Sequence, residues 1–186
     1  MAEEDVSNEQ AESEEAESVD AEPAEPEPEL LHGAPVSYSR GQTVLHPSRA
    51  EYLALVKSLR EQGYWMCADL CAVDYLTAQS NRTLPPGIQP ERFEIVVTLL
   101  NNSERSRLRI RVQVPENEQS IDSLFSVHPS AENPEREVFD LFGINFENHP
   151  DLSRILMPDD WEGHPLRKDY SVGEIPVQFK QAPTSR

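Results

Sequence analysis

Two of the five histidines in this 186-residue chain, His149 and His164, stand among carboxylates: Asp151, Asp159, Asp160 and Glu162. Histidine ionises near neutrality, and two imidazoles with a carboxylate form a workable ligand set for a transition metal. The spacing argues the other way. Each histidine precedes a proline, Pro150 or Pro165, which steers it into extended or turn backbone and away from a helix face. No HExxH or HxH pattern holds two imidazoles together. A free-standing hydrolase using His149 or His164 with Asp151 or Asp159 stays open on residue types alone. Other chemistry has less support, since there is no GxSxG, reactive-cysteine signature, P-loop or GxGxxG. The two cysteines, Cys67 and Cys71, are too few for an iron–sulfur cluster or a cysteine zinc site. We expect buried free thiols there, with a redox pair as the alternative.

Composition says how much chain is available to position these groups. Residues 1–30 hold thirteen Asp or Glu and no Lys or Arg. Such a segment has too little apolar surface to offset its ordering entropy, so a disordered acidic tail is expected. It carries most of the net charge of −18. The remainder suits one domain and is only mildly acidic, which argues against a nucleic-acid face. The first residues lack a basic n-region and an apolar h-region, so no secretory leader is expected. No apolar run approaches the roughly 20 residues that span a bilayer. Two cysteines without a leader suit a reducing, cytosolic setting.

The elements follow from periodicity. Ser48-Arg49-Ala50-Glu51 matches a capping box, with Tyr52, Leu53, Leu55, Val56 and Leu59 at helical spacing and Gly63 as the stop. Residues 36–46 show no clear element, and residues 64–76 are apolar but ambiguous. Residues 79–90 read as a turn-rich loop. Phe93, Ile95, Val97 and Leu99, then Leu108, Ile110, Val112 and Val114, alternate as a hairpin with one face on a core. Its first strand, apolar on both faces, reads as central. The second carries an outer row, Arg107, Arg109 and Arg111, suited to solvent or to a partner's acidic surface. Asn133 reads as an N-cap, Pro134 as the first helical residue, and Gly143 as the stop of a second helix. Arg136 and Asp140 form an i,i+4 pair on it.

From Glu135 to Tyr170 the chain is too broken by Pro and Gly to be one helix or one strand, yet too aromatic for a linker. Phe139, Phe142, Phe146, Trp161 and Tyr170 interleave with Arg136, Arg154, Arg167 and Lys168. Aromatics and Arg are what interface centres favour, and a loop this long in a small domain is usually functional. The physical reading is a segment that orders against another protein. The chain then divides into a disordered acidic tail (1–35), an α+β domain (36–134), and a helix with an extended docking segment (135–186).

The stretch EREVFDLFGINFENHPDLSRILMPDDWEGHPLRKDY, Glu135–Tyr170, resembles the signature region of the 30-kDa subunit of respiratory complex I, known in bacteria as the C component of NADH-quinone oxidoreductase. Ala72-Val73-Asp74-Tyr75 resembles that family's AVDY element, and the two alternating strands its hairpin. Gly173–Lys180 looks like an extension found in a subset of members. The resemblance implies an α+β fold: a small mixed or antiparallel sheet with flanking helices and a C-terminal segment that wraps over neighbouring subunits. It implies a non-catalytic peripheral-arm subunit of a proton-translocating enzyme, held at the cytoplasmic side of the cell membrane through the complex. Electrons would pass from NADH through FMN and iron–sulfur centres to quinone in partner subunits, with no cofactor, metal or catalytic residue in this chain. The partners implied are the 49-kDa-like subunit and a small cluster-bearing subunit. Carried over by position, Glu135, Arg136, Glu137 and Asp140 would orient the helix and pair with partner charges. His149-Pro150 and His164-Pro165 would set turns, and Phe142 and Trp161 would be anchors. Phe139, Arg154, Pro158, Arg167, Lys168, Asp169 and Tyr170 complete the expected interface. The equivalent subunit of a sister complex, a hydrogenase or one fed by another donor, is the alternative.

Overall fold

The computed structural model describes residues 28–78 and 82–171. The acidic tail up to residue 27, residues 79–81 and the Gly173–Lys180 extension lie outside the described residues.

The strands of the described residues form a six-stranded mixed sheet in the order β1-β2-β3-β6-β5-β4 and a two-stranded sheet of β7 and β8. β1 is Leu30–Leu31, β2 Ala34–Ser39 and β3 Gln42–Leu45. They are joined by two-residue turns, His32-Gly33 and Arg40-Gly41, with both central residues at positive φ in each. Such turns match the right-handed twist of antiparallel strands, and glycine at the second position makes them cheap. Residues 36–46, without a clear element in the sequence, are therefore a hairpin. The available signal was the Arg-Gly pair between two short apolar runs.

Helix α1, Arg49–Glu61, carries the expected capping box: Ser48 Oγ accepts from the Glu51 amide and the Glu51 carboxylate accepts from the Ser48 amide. Tyr52, Leu55, Val56 and Leu59 are buried and Leu53 is half-buried. Gly63 follows at φ +99, where a Cβ would come within 2.7 Å of the Asn101 side chain. The ambiguous segment resolves as β4, Met66–Asp74, an edge strand paired with β5. Cys67 is half-buried, but Cys71 is exposed. That corrects the expectation of two buried thiols: at an edge strand only one sheet face is covered, and Cys71 lies on the open one. Burial still pushes the Cys67 thiol up to about 11.

β5 (Phe93–Asn101) and β6 (Ser106–Val114) form the expected hairpin, and both are central. Asn101 Oδ1 accepts from the Ser103 and Glu104 amides to make the turn. β3 runs parallel to β6 with Leu45 opposite Ile110. The face bearing Phe93, Ile95, Val97 and Leu99 shares one core with α1 and the second helix. On the other face Glu94, fully buried, accepts from Arg111 Nε (2.6 Å) and Gln113 Nε2 (2.6 Å). Arg111 is thus held inside the chain, while Arg107 stays exposed.

β7 (Ser120–Asp122) precedes a 3₁₀ turn at Pro129–Ala131 that runs straight into α2, Glu132–Phe142. The N-cap is Ala131, with no side-chain cap. This corrects the reading of Asn133 and Pro134, which are the second and third helical residues. Within the first turn a missing N–H costs nothing, so proline is accepted there. Gly143 ends α2 in the left-handed conformation, as expected. β8, Asn145–Glu147, pairs parallel with β7. Val138, Phe142, Ile144 and Phe146 join the same core as the sheet. The domain therefore continues through Glu147, past the boundary drawn at Glu135, because α2 buries its apolar stripe on that core.

Candidate functional site

Residues 148–171 have no helix or strand, yet they lie on the domain through three buried carboxylates. We call this segment the arm. The first carboxylate is Asp140, in the last turn of α2. Its Oδ2 accepts the consecutive amides of Ile155 (3.1 Å), Leu156 (2.8 Å) and Met157 (2.8 Å), and its Oδ1 accepts from Arg154 Nη1 (2.6 Å). Three adjacent N–H groups aimed at one point form an anion nest, filled here by the protein's own carboxylate. Burial pushes the Asp140 carboxyl up, but these amides and the Arg154 guanidinium outweigh it and hold it below the usual range.

The second is Asp74, the acid of the AVDY element. It receives Arg92 through Nε (3.2 Å) and Nη2 (3.0 Å), and its Oδ2 accepts the Lys168 amide at 2.9 Å. Arg92, only 5% exposed, also binds Asp169 at 2.8 Å and the Glu116 carboxylate. Burial opposes the Asp74 charge, and Arg92 with the Lys168 and Leu76 amides overcomes it, so its pKa is also depressed. Arg92 and Arg167 both lie against the Phe93 ring, 4.8 and 5.1 Å from its centroid.

The third is Glu135, fully buried, whose Oε1 accepts the Leu124 amide (2.6 Å) and Oε2 the Ser123 hydroxyl (2.5 Å). His149 Nε2 lies 3.8 Å from Glu135 and 3.1 Å from the Glu132 carbonyl, while His149 Nδ1 accepts the Asp151 amide. The proton therefore sits on Nε2, pointing at Glu132. Burial raises Glu135 to about 7, against the pull of Ser123 and the Leu124 amide.

Two glycines clear the way for the arm. Gly143, at φ +75, faces the His164 ring, where a Cβ would lie 2.6 Å from Nε2. His164 Nδ1 donates to the Asp140 carbonyl at 2.9 Å. Gly163 faces Tyr170 in the same way, at 2.7 Å.

Several sequence expectations change. Arg136 does not pair with Asp140. It reaches the Ser153 carbonyl and hydroxyl and the Arg154 carbonyl instead, because Arg154 occupies the Asp140 carboxylate. Glu135 and Asp140 are 0% exposed and Phe142 is 8% exposed, so none of the three offers its side chain on the surface of this chain. Their groups bind the arm or the core. His149 and His164 each use a ring nitrogen on a backbone carbonyl, the His149 amide donates to the Phe146 carbonyl, and the His164 carbonyl accepts the Arg167 amide. His149's imidazole is enclosed and both its nitrogens are engaged, and Ser123 donates to Glu135 and not to an imidazole. In this Ser, Glu and His cluster the side chains thus bond one another or nearby backbone: Ser123 to Glu135, Glu135 to the Leu124 amide, and His149 to the Glu132 carbonyl. Among the described residues no three His, Cys, Asp or Glu groups gather as a metal site. Of the remaining candidates, Glu137, Pro150, Pro158, Lys168 and Asp169 are exposed, and Arg136, Phe139, Arg154, Trp161, His164, Pro165, Arg167 and Tyr170 are half-buried. Asp74, Arg92 and Ser123 carry roles that sequence reasoning missed. Asp74 could have been suspected from the AVDY element, whereas nothing local marks its partner Arg92.

The fold and site define a class: a mixed-sheet α+β domain whose irregular C-terminal arm is bound by buried carboxylates. A sequence model of the family described as "Respiratory-chain NADH dehydrogenase, 30 Kd subunit" matches residues 45–175. The chain belongs to this family. It is 44% identical over 134 residues to the C component of NADH-quinone oxidoreductase from Geobacter sulfurreducens, covering 72% of this chain and 76% of that one. It is 39% identical over 150 residues to the corresponding component from Saccharopolyspora erythraea, covering 79% of this chain and 56% of the relative. The chain thus spans little more than half of that relative's length. Among solved structures, a trypsin-resistant fragment (1–134) of Nqo5 aligns with a TM-score of 0.56 at 33% identity, covering 64% of this chain and 90% of the fragment. A chain of an archaeal membrane-bound sulfane sulfur reductase aligns with a TM-score of 0.62 at 19% identity, covering 82% and 90%, and shows the shared fold alone.

Proposed function

We propose that this chain is a non-catalytic peripheral-arm subunit of a proton-translocating NADH-quinone oxidoreductase. It holds the quinone-reducing module together, at the cytoplasmic side of the membrane, against the 49-kDa-like and small cluster-bearing subunits. FMN and iron–sulfur centres in those and other partners carry the electrons. The relatives' names support the complex. The observation that carries the non-catalytic role is the use of the family's signature acids and histidines. Asp140, Glu135, His149 and His164 are tied to backbone groups and neighbouring side chains that position the arm. No helix among the described residues is long and apolar enough to cross a membrane, so attachment through partners is the mode proposed.

The test is recovery of the tagged full chain from solubilised membranes, followed by identification of co-purifying subunits and an NADH-driven quinone reduction assay. The expected result is a complex oxidising NADH, and an isolated chain with neither turnover nor stoichiometric metal. A metal retained by the isolated chain and lost in His149→Ala would instead support the hydrolase reading. Activity with a donor other than NADH would place the chain in a sister complex.

A further inference from the structure

The arm displays an apolar tip. Because the amides of Ile155, Leu156 and Met157 all turn inward onto Asp140, their side chains are presented from a fixed backbone. Leu156 is 52% exposed and Ile155 36%. Leu166, 47% exposed, is fixed to the same end of α2 by the hydrogen bond its amide donates to the Leu141 carbonyl at 3.1 Å. Holding three apolar side chains in water on an ordered loop has no benefit to the isolated fold, whereas a preordered anchor loses little entropy on docking.

The charges around the tip point to its receptor. Asp151, Asp159, Asp160 and Glu162 are exposed, and none of them makes an ion pair among the described residues. The one Lys or Arg between Glu147 and Gly163, Arg154, is bound by Asp140. Between Glu147 and Gly163 every exposed charge is therefore acidic, and these acids flank Ile155 and Leu156 along the chain; the bases nearby are Arg136, bonded to Ser153 and Arg154, and Arg167 and Lys168, which follow Leu166. The chain's own N-terminal tail is acidic, and a second copy would bring the same face in a molecule of net charge −18. Both would be repelled.

We infer that Ile155 and Leu156 are the anchor of this arm, and that their receptor is an apolar pocket on a partner subunit framed by Lys and Arg. The inference rests on the subunit reading above. The basic frame steers docking and sets its salt dependence, while the apolar centre supplies most of the affinity.

The tagged full chain, replacing its counterpart in cells, is recovered from solubilised membranes at low and high salt, and co-purifying subunits are quantified. Leu156→Asp lowers their recovery at least about tenfold. The double variant Asp159→Lys, Asp160→Lys lowers it at low salt and weakens its salt dependence. Leu30→Asp, at an exposed apolar site away from the arm, leaves recovery unchanged. Thermal unfolding of each isolated variant checks the fold, and Leu156→Ala decides the matter if Leu156→Asp is unfolded. Should the unmodified chain recover no other subunit, the subunit reading itself fails. Full recovery with an intact complex and a folded Leu156 variant would overturn the anchor while leaving that reading in place. Unchanged recovery with the charge-reversed pair would overturn the basic frame. Recovery of only further copies of this chain would overturn the assignment of the partner.

Discussion

At the scale of single residues, buried carboxylates organise this protein, and they differ in what holds them. Asp140 is surrounded by donors and ionises readily, whereas Glu135 has two donors in an apolar setting and is raised to about 7. The sign of its effect follows. A carboxyl whose folded pKa lies above its ordinary 4.5 binds protons more tightly in the folded state. Its contribution is full below pH 4.5 and is lost as pH rises through about 7. Glu135→Gln should remove this slope and raise stability at pH 8 by roughly 1–3 kcal/mol, read from denaturant unfolding at several pH values. His46, 1% exposed and lowered to about 4 by burial and by Arg111, acts oppositely. Its contribution is present above pH 6.5 and is lost as pH falls toward 4, so the two groups partly cancel in the unmodified protein. The variant should therefore lose more stability than its parent as pH falls from 8 to 4, starting from a higher value at pH 8. Asp140→Ala leaves three inward amides without their acceptor and Arg154 without its carboxylate, holding only the carbonyls of residue 140 and Gly163. It should cost about 3 kcal/mol or more and open the arm to trypsin at Arg154, a cleavage that mass spectrometry of a timed digest would locate.

At the scale of elements, the junction between α2 and the arm depends on Gly143. It serves as the helix stop at positive φ and as clearance for the His164 ring. Gly143→Ala should destabilise by about 1–3 kcal/mol. Combining it with His164→Ala should recover the part due to contact and leave the part due to φ, a separation that a double-mutant cycle measures. The same reasoning makes α1 tolerant. Ser48→Ala loses a cap whose loss costs about 1 kcal/mol, with no change expected in the arm's protease resistance.

At the scale of the molecule, the sheet and both helices share one core, and the arm is bound to it by side chains far apart in sequence. Asp74 accepts the amide of Lys168 across 94 positions. The domain begins before the end of the acidic region: the Glu29 carbonyl accepts the Val36 amide and Leu30 pairs with Pro35. A tail of 35 residues is thus too long a cut. Removing residues 1–27 should leave subunit assembly and thermal stability unchanged, by the same membrane recovery and a thermal melt. Loss of assembly would assign the acidic tail a role in the complex.

Much of this was legible locally. The capping box at Ser48 and Glu51, the alternation from Phe93 to Val114 and the glycine at 143 are decided by neighbours a few residues apart, and the structure follows them. So is the family signature from Glu135 to Tyr170, which identifies the family through residue order alone. What the sequence left open depends on partners remote along the chain. The parallel pairing of β3 with β6, the capture of Arg154 by Asp140 in place of Arg136, and the Asp74–Arg92–Asp169 cluster all arise when separate elements meet. Residue type supplies a charge, but burial and the donors that surround it decide its role. For Glu135 and Asp140 that decision belongs to the tertiary structure, which draws both carboxylates inward and leaves the apolar tip at Leu156 outside.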